Sequence, residues 1–307
     1  MPATKPQRLA VAINPSASFG ATREVGPAVV QTLRALGHEV TSLVEPDFES
    51  LLSSARAAVR GRLDGLVVVG GDGMANLGVN VVAGGRVPLG IIPSGTGNDM
   101  ARALGIPVGD AEAAIRALDA ALARPPREID AARARWDAAG AEPAGERWFG
   151  CALSAGFDVF VNERANGMRH PKGPSRYVIA LGIELLRMRP RHYRLEIDGE
   201  VVETDALLVA VSNGVSIGGG MRITPDAELD DGMFDVFIVT PLSRLAFARI
   251  YPSVFAGTHV TDPHVTIRRA RRVRIETEGI VGYADGERFG PLPMDVEVVP
   301  GALRVLA

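Results

Sequence analysis

Two glycine-rich segments, each entered from a short apolar run, constrain this chain more than anything else in it. Leu66-Val67-Val68-Val69 leads into Gly70-Gly71-Asp72-Gly73, and Leu89-Gly90-Ile91-Ile92-Pro93 leads into Ser94-Gly95-Thr96-Gly97-Asn98-Asp99. Without a Cβ, glycine lets backbone amides approach an anion closely, and a helix starting just beyond adds the favourable end of its dipole. Two such turns at the ends of neighbouring strands would form one phosphate-sized crevice, which points to a nucleotide.

The surrounding pattern supplies those strands. Leu9 to Ile13, Glu39 to Val44, Leu66 to Val69 and Val87 to Ile92 read as strands. Between and after them, Thr22 to Leu36, Phe48 to Arg60, Asn76 to Val82, Met100 to Leu104 and Ala111 to Leu122 read as helices, the first with Val25, Val29, Leu33 and Leu36 at helical spacing. This alternation predicts a doubly wound parallel sheet with ligands beyond the carboxyl ends of its strands. After Pro125-Pro126 the runs become short and strand-like, from Arg133 to Trp136 through Val296 to Val299, which predicts an antiparallel β-sandwich. Helices over Tyr177 to Met188 and Leu245 to Phe255 interrupt it, and Asp137 to Arg147 reads as a hairpin tip. We place a nucleotide-binding α/β domain at 1–128 and a β-sandwich substrate domain at 129–307, with the last residues free to return to the first.

Bulk properties exclude several function classes. A net charge of -3 gives no global attraction to nucleic acid or anionic lipid, so any basic contact surface is local. The lone Cys151 permits no internal disulfide and reads as a buried structural thiol. The N-terminus has no signal-peptide pattern, and no apolar run approaches the ~20 residues of a membrane span. The expectation is a cytoplasmic protein without a transmembrane segment. The five histidines lack metal-ligand spacing, and no aromatic–basic interleaving suggests RNA.

Asp72 adds chemistry to the first turn. A carboxylate beside a phosphate is repulsive unless a cation or a hydroxyl intervenes, so Asp72 suggests Mg²⁺ or a donor hydroxyl. Thr96 is placed to donate to a phosphate oxygen and Asn98 to bridge the two turns. Asp99 reads equally as the N-cap of the following helix or as part of a metal shell. Asp-Gly-Glu occurs twice: Asp198-Gly199-Glu200 lies between alternating runs and reads as a hairpin turn, whereas Asp285-Gly286-Glu287 lacks that symmetric flanking. Asp230-Asp231-Gly232 also has a plain-turn reading. Gly218-Gly219-Gly220 reads as a close approach of backbone to another element.

Taken in order, Asn14-Pro15-Ser16, Gly70-Gly71-Asp72-Gly73, Gly95-Thr96-Gly97-Asn98-Asp99, Gly218-Gly219-Gly220, Asp230-Asp231-Gly232 and Asp285-Gly286-Glu287 resemble the bacterial diacylglycerol kinase and related lipid kinases. That family includes the sphingosine and ceramide kinases and is distantly related to NAD kinases and phosphofructokinases. The resemblance covers nearly the whole chain. It implies an ATP-dependent lipid kinase with its active site in the cleft between two domains. The nucleotide would be bound by Asn14, Gly70, Gly71, Asp72, Gly73, Met74, Asn76, Gly95, Thr96 and Asn98, with ATP and Mg²⁺ as cofactors. Glu287 or Asp285 would take the proton of the lipid hydroxyl. A second, largely structural metal site would use Asp231 with carbonyls near Glu228 and Met233, while Asp72 and Asp99 would serve the catalytic metal. The implied partner is a lipid met at the membrane surface, from a peripheral position at the inner face; a homodimer stays open.

The chain departs from the family pattern where Met74 replaces a threonine and Leu77 a glutamate, and the first loop lacks its usual glycine. Those losses keep two alternatives open: a kinase of a soluble substrate such as NAD, or a degenerate nucleotide-binding regulator. Arg23 is a candidate cation near the phosphates or a solvated helix residue. Two basic stretches, Arg187-Met188-Arg189-Pro190-Arg191 and Arg268-Arg269-Ala270-Arg271-Arg272-Val273-Arg274, read either as solvated faces or as contacts to anionic headgroups.

Overall fold

Strand–helix alternation in the first part of the chain builds a parallel sheet, as its periodicity requires. The structure is a computed structural model that describes residues 5–14, 22–140, 142–168, 170–171 and 175–307, without the side chains of Thr22 and Arg23. Pro15, Ser16 and the rest of the first loop, together with the Arg23 side chain, lie outside the described residues. The chain divides into residues 1–131 with 300–307, and residues 132–299.

The first unit contains β1 (Arg8–Ile13), α1 (Thr22–Ala35), β2 (Glu39–Leu43), α2 (Phe48–Val59), β3 (Gly65–Gly70), α3 (Asp72–Val82), β4 (Leu89–Pro93), α4 (Asp99–Ala103) and α5 (Ala111–Leu122). The strands run in parallel order β2-β1-β3-β4, and Val305 near the chain's end pairs in parallel with Leu89. β3 and β4 are buried along their whole length, which is why their sequences are continuous apolar runs rather than alternating ones. Helices cover both faces. A Cβ on Gly78 of α3 would meet Leu89 at 2.6 Å, and one on Gly90, facing the other way, would meet Leu118 of α5 at 2.7 Å. α2 packs with α3, and α1 with α5.

Two boundaries differ from expectation in a way that matters for the site. α3 begins at Asp72, not Asn76, so the first glycine segment is a strand-to-helix junction with Gly71 as N-cap. α4 begins at Asp99 with Asn98 as its N-cap, so Asp99 is not the cap that its type suggested.

Residues 132–299 form two antiparallel sheets. The chain enters along β5 (Arg127–Trp136) and continues through β6 (Gly145–Phe149), β7 (Ala152–Gly156), α6 (Phe157–Gly167), α7 (Ser175–Arg187), β8 (Arg191–Ile197), β9 (Glu200–Ala206), β10 (Leu208–Ser212), β11 (Phe234–Val239), α8 (Arg244–Ala256), β12 (Val265–Ala270), β13 (Arg272–Glu276), β14 (Val281–Ala284), β15 (Glu287–Pro291) and β16 (Met294–Val305). One sheet has the order β12-β11-β10-β7-β14-β15; the other joins β9, β8, β13 and β16, with β5 beside β16 and β6 beside β5. Side chains of both sheets, including Leu153, Tyr193, Leu195, Val211, Phe234 and Ile275, share one buried cluster between them, and a smaller cluster around Ala210, Ile223 and Phe237 lies on the other face of β10 and β11.

α6 is absent from the sequence reading. Its opening Phe157-Asp158-Val159-Phe160-Val161 is rich in aromatic and β-branched residues, a strand-like composition, and the polar Asn162-Glu163-Arg164 that follows cuts the apolar pattern short. Gly218, Gly219 and Gly220 all have positive φ in a loop closed by mutual Ile217–Met221 hydrogen bonds, a conformation that suits glycine, and a Cβ on Gly218 would also meet Met221 Cε at 2.5 Å. Among the described residues no helix is long and apolar enough to cross a membrane.

Candidate functional site

In the first unit the two glycine segments meet at the carboxyl ends of adjacent strands. Gly70 pairs with Pro93, and the Ser94 amide donates to the Gly70 carbonyl at 2.9 Å. The approach is too close for side chains. A Cβ on Gly71 would lie 3.0 Å from the Gly95 Cα, and one on Gly95 would collide with the Gly71 Cα. Asn14 completes the corner at the end of β1, its amide donating to Val69 at 3.4 Å.

Asp72 ties the corner together. Its Oδ2 accepts the Asn98 amide at 3.0 Å and its Oδ1 the Asp99 amide at 2.7 Å. The first amides of a helix lack intrahelical acceptors, so this carboxylate caps α4 from another helix. Gly97 is required beside it, because a Cβ there would collide with Asp72 Oδ2. Asn98 stays within its own loop: its Oδ1 accepts the Gly95 amide at 3.1 Å and its Nδ2 donates to the Gly95 carbonyl at 2.7 Å. The bridge expected of the Asn98 side chain is therefore made by Asp72 and the Asn98 backbone. Arg102, which the sequence reading passed over, donates to the Gly97 carbonyl at 3.1 Å and closes the loop.

Of the remaining candidates here, Gly73 lies half-buried in the first turn of α3, whose leading amides lack intrahelical acceptors, and Thr96 is exposed on its loop. Met74 and Asn76 are buried. The Met74 thioether chain packs against Gly70, its amide donates to Gly71, and Asn76 Oδ1 accepts from Asn80 at 3.1 Å. The Met74 and Asn76 side chains therefore belong to the interior, and Leu77 is a core residue.

In the second unit Asp285 and Gly286 form a two-residue hairpin loop between β14 and β15, with φ of 49° and 81°. This corrects the expectation that the second Asp-Gly-Glu lacks hairpin flanking; a bulge near Gly282/Tyr283 and the short β14 hide the alternation. The Asp285 carboxylate accepts three amides, from Gly150 at 2.8 Å, Cys151 at 3.0 Å and Ala152 at 3.2 Å. Its orientation is thereby fixed and its lone pairs are largely used. Cys151 itself is buried, as a structural thiol should be.

Glu287 differs from its neighbour. It makes no hydrogen bond or ion pair among the described residues, and burial raises its pKa against the opposing pull of Arg147, with Asp285 adding to the rise. Arg147 is the functional candidate that sequence reading missed, because it was assigned to a hairpin tip. It lies on β6, donates to the Arg288 carbonyl at 2.9 Å, and sets its guanidinium 4.4 Å over the Phe289 ring. Burial lowers its own pKa while Glu287 and Asp285 hold it up. An unpaired carboxylate raised toward neutrality, beside a fixed cation, can accept a proton from a hydroxyl.

The Asp231 carboxylate expected at a second metal is engaged by partners within its own chain. Asp231 Oδ1 accepts the Met233 amide at 3.0 Å, and its Oδ2 forms an ion pair with Arg269. Asp235 lies 3.8 Å from the same guanidinium, and Glu228 contributes to the field around it. Arg269 thus supplies the positive charge that this turn needs. Among the described residues no group of three His, Cys, Asp or Glu could hold a metal ion, Asp72 and Asp99 included. A divalent ion accompanying a nucleotide is carried mainly by its phosphates, so the lack of a protein cage is compatible with one arriving with the substrate.

Residues 8–134 match the family described as diacylglycerol kinase catalytic domain, and residues 151–307 match the YegS C-terminal NAD kinase beta sandwich-like domain. A diacylglycerol kinase of Mycobacterium tuberculosis is 39% identical over 95% of this chain and 93% of its own length. One from Bacillus subtilis is 28% identical over 94% and 92%. In fold, the chain is similar to the crystal structure of a diacylglycerol kinase from Bacillus anthracis, with a TM-score of 0.70 and 21% identity over 98% of this chain and 96% of that one. A yeast NADH kinase structure shares the fold more distantly, with a TM-score of 0.52 over 98% of this chain and 82% of that one. With both domains matched in order and a relative at this identity over nearly its full length, the chain belongs to the diacylglycerol kinase family of kinases.

Proposed function

We propose that this chain transfers the γ-phosphate of ATP to a hydroxyl of diacylglycerol or a related lipid, with Glu287 receiving the hydroxyl proton. The observation that carries the reading is the Glu287 carboxylate, unpaired, partly buried and raised in pKa beside Arg147. Membership of the family supports the kinase chemistry, and similarity to diacylglycerol kinases of Mycobacterium tuberculosis and Bacillus subtilis supports the lipid.

In the reaction the acceptor oxygen forms a bond to the γ-phosphorus while the bond from that phosphorus to the β-bridging oxygen breaks. The electron pair of the broken bond leaves with ADP, and the hydroxyl proton passes to Glu287. Phosphoryl transfer is mainly positioning and charge neutralisation. The corner at Gly71, Gly73 and Thr96 would bind the phosphates through backbone amides, which a methionine at position 74 leaves intact, while Gly95, its amide held by Asn98, lets the two turns approach. Arg147 would keep Glu287 ionised in part and face the negative charge of the transferred group. Asp285 is a positioning residue that holds the turn. A divalent ion, when bound with ATP, would neutralise phosphate charge.

The test is transfer of labelled γ-phosphate into lipid in mixed micelles, with NAD as a parallel acceptor. Labelled lipid that disappears with Glu287→Gln is the expected result. Label in NAD alone would make the chain a soluble-substrate kinase, and tight ATP binding with no labelled acceptor would make it a nucleotide-binding regulator.

A further inference from the structure

The two basic stretches, alike in sequence, have opposite fates in the fold. On β12 and β13 the arginines meet carboxylates: Arg268 pairs with Glu200 at 2.6 Å, Arg269 with Asp231, Arg272 with Glu297 at 3.0 Å and Arg274 with Glu276 at 2.8 Å. Four of the five arginines of that stretch are thus paired, Arg271 alone forming no ion pair among the described residues. Arg187, Arg189 and Arg191 are exposed and form no ion pair among the described residues; Arg191 only overhangs the Phe160 ring, at 5.8 Å. They run from the last residue of α7 to the first of β8 and rim a hollow lined also by Phe157, Phe160, Leu207 and Glu184, whose carboxylate is taken by Arg164.

α7 itself is inverted relative to an ordinary surface helix. Its acidic residue, Glu184, is 9% exposed and ion-paired with Arg164, whereas Val178 and Leu186 are each 70% exposed. Val178, Ile179, Gly182 and Leu186 recur at helical spacing on one face, and a Cβ on Gly182 would meet nothing within 4 Å. An aliphatic stripe held in water beside unneutralised arginines, on a chain of net charge -3, marks a surface built for a partner that is both apolar and anionic.

We infer that the exposed face of α7 and the Arg187–Arg189–Arg191 segment dock this protein onto an anionic lipid bilayer, the stripe entering the headgroup boundary and the arginines pairing with lipid phosphates. The inference draws its purpose from the lipid-substrate reading above, but its measurement needs no turnover. Each arginine near an anionic surface contributes about 1 kcal/mol, roughly a fivefold change in partition.

The experiment is sedimentation of the full chain with vesicles of phosphatidylglycerol and phosphatidylcholine, against vesicles of phosphatidylcholine alone, with light scattering of the free protein. Wild type should bind the anionic vesicles, less so as salt rises, and not the zwitterionic ones. Replacing all three arginines by alanine should weaken binding about a hundredfold with melting temperature unchanged, and Val178→Asn with Leu186→Gln should weaken it as well. Arg268→Ala should leave it intact. Leu186→Trp supplies a readout that removes no charge: its emission should shift to the blue on anionic vesicles. Unchanged binding in the variants, no binding by wild type, or no spectral shift overturns the inference. So does a wild-type dimer that the α7 variants dissociate, which would make the stripe a contact between copies. Vesicle binding without lipid phosphorylation would sink the substrate assignment and leave this one standing.

Discussion

The chain contains the tripeptide Asp-Gly-Glu twice, and the two copies fold into the same turn. Asp198 and Gly199 have φ of 49° and 89°; Asp285 and Gly286 have 49° and 81°. In both, the glutamate pairs across the hairpin with the residue before the aspartate. Both aspartates bind the backbone of a neighbouring segment: Asp198 accepts the Arg271 and Arg272 amides at 3.0 and 2.8 Å, and Asp285 accepts those of Gly150, Cys151 and Ala152. The glutamates then diverge. Glu200 is exposed and ion-paired with Arg268, which lowers its pKa, whereas Glu287 is unpaired and burial raises its pKa. A tripeptide therefore specifies a turn and an anchor, and the environment of its third residue specifies the chemistry.

The sharpest way to break this comparison is to neutralise each glutamate. Glu287→Gln should lower kcat by about 10²- to 10⁴-fold, the usual contribution of a general base, with the fold intact by circular dichroism. Glu200→Gln should leave kcat unchanged. Equal losses, or none in either, would remove the distinction.

A pH profile sharpens it further. With its pKa raised, Glu287 is ionised only at higher pH than an ordinary glutamate, so kcat/KM should fall on the acid side earlier than an unperturbed carboxyl would dictate. Arg147 opposes the rise, so Arg147→Met should move that acid limb to still higher pH. A limb that stays put in this variant would separate Glu287 from the titrating group.

The aspartates test the shared part of the motif. Asp285→Asn removes charge-assisted acceptors from three amides and should destabilise the fold by roughly 1–3 kcal/mol in thermal or urea unfolding, with a fall in kcat as the turn loosens. Asp198→Asn should destabilise less, because its turn is open to solvent, and should spare kcat. The smallest effect belongs to Arg268→Ala. It removes an exposed ion pair, so neither kcat nor the melting temperature should change measurably.

Much of the first unit is legible in sequence because β1, β3 and β4 are buried on both faces and α1, α2 and α5 have one apolar stripe each. Gly71, Gly95 and Gly97 are also legible as sites of close approach, since only the lack of a Cβ lets the two segments touch. What each polar side chain touches is less so. Asp72, read as a ligand to a cation, also caps another helix, and Asp231, read as a metal ligand, also faces Arg269. Arg147 was invisible because the hairpin that carries it looks like an insertion, and its significance arises only beside residues more than a hundred positions away.

From its sequence alone, this protein's alternating and continuous apolar patterns determine two kinds of layer, and its glycines determine where backbone must crowd backbone. Those are local requirements of periodicity and sterics. Tertiary structure alone decided which charges were spent inside the fold and which were left over. Of two arginine stretches one is largely neutralised by β-strand neighbours and one faces solvent, and of two identical turns one carries a free carboxylate. Electrostatic environment is set by partners distant in the chain, and no local pattern encodes their arrival.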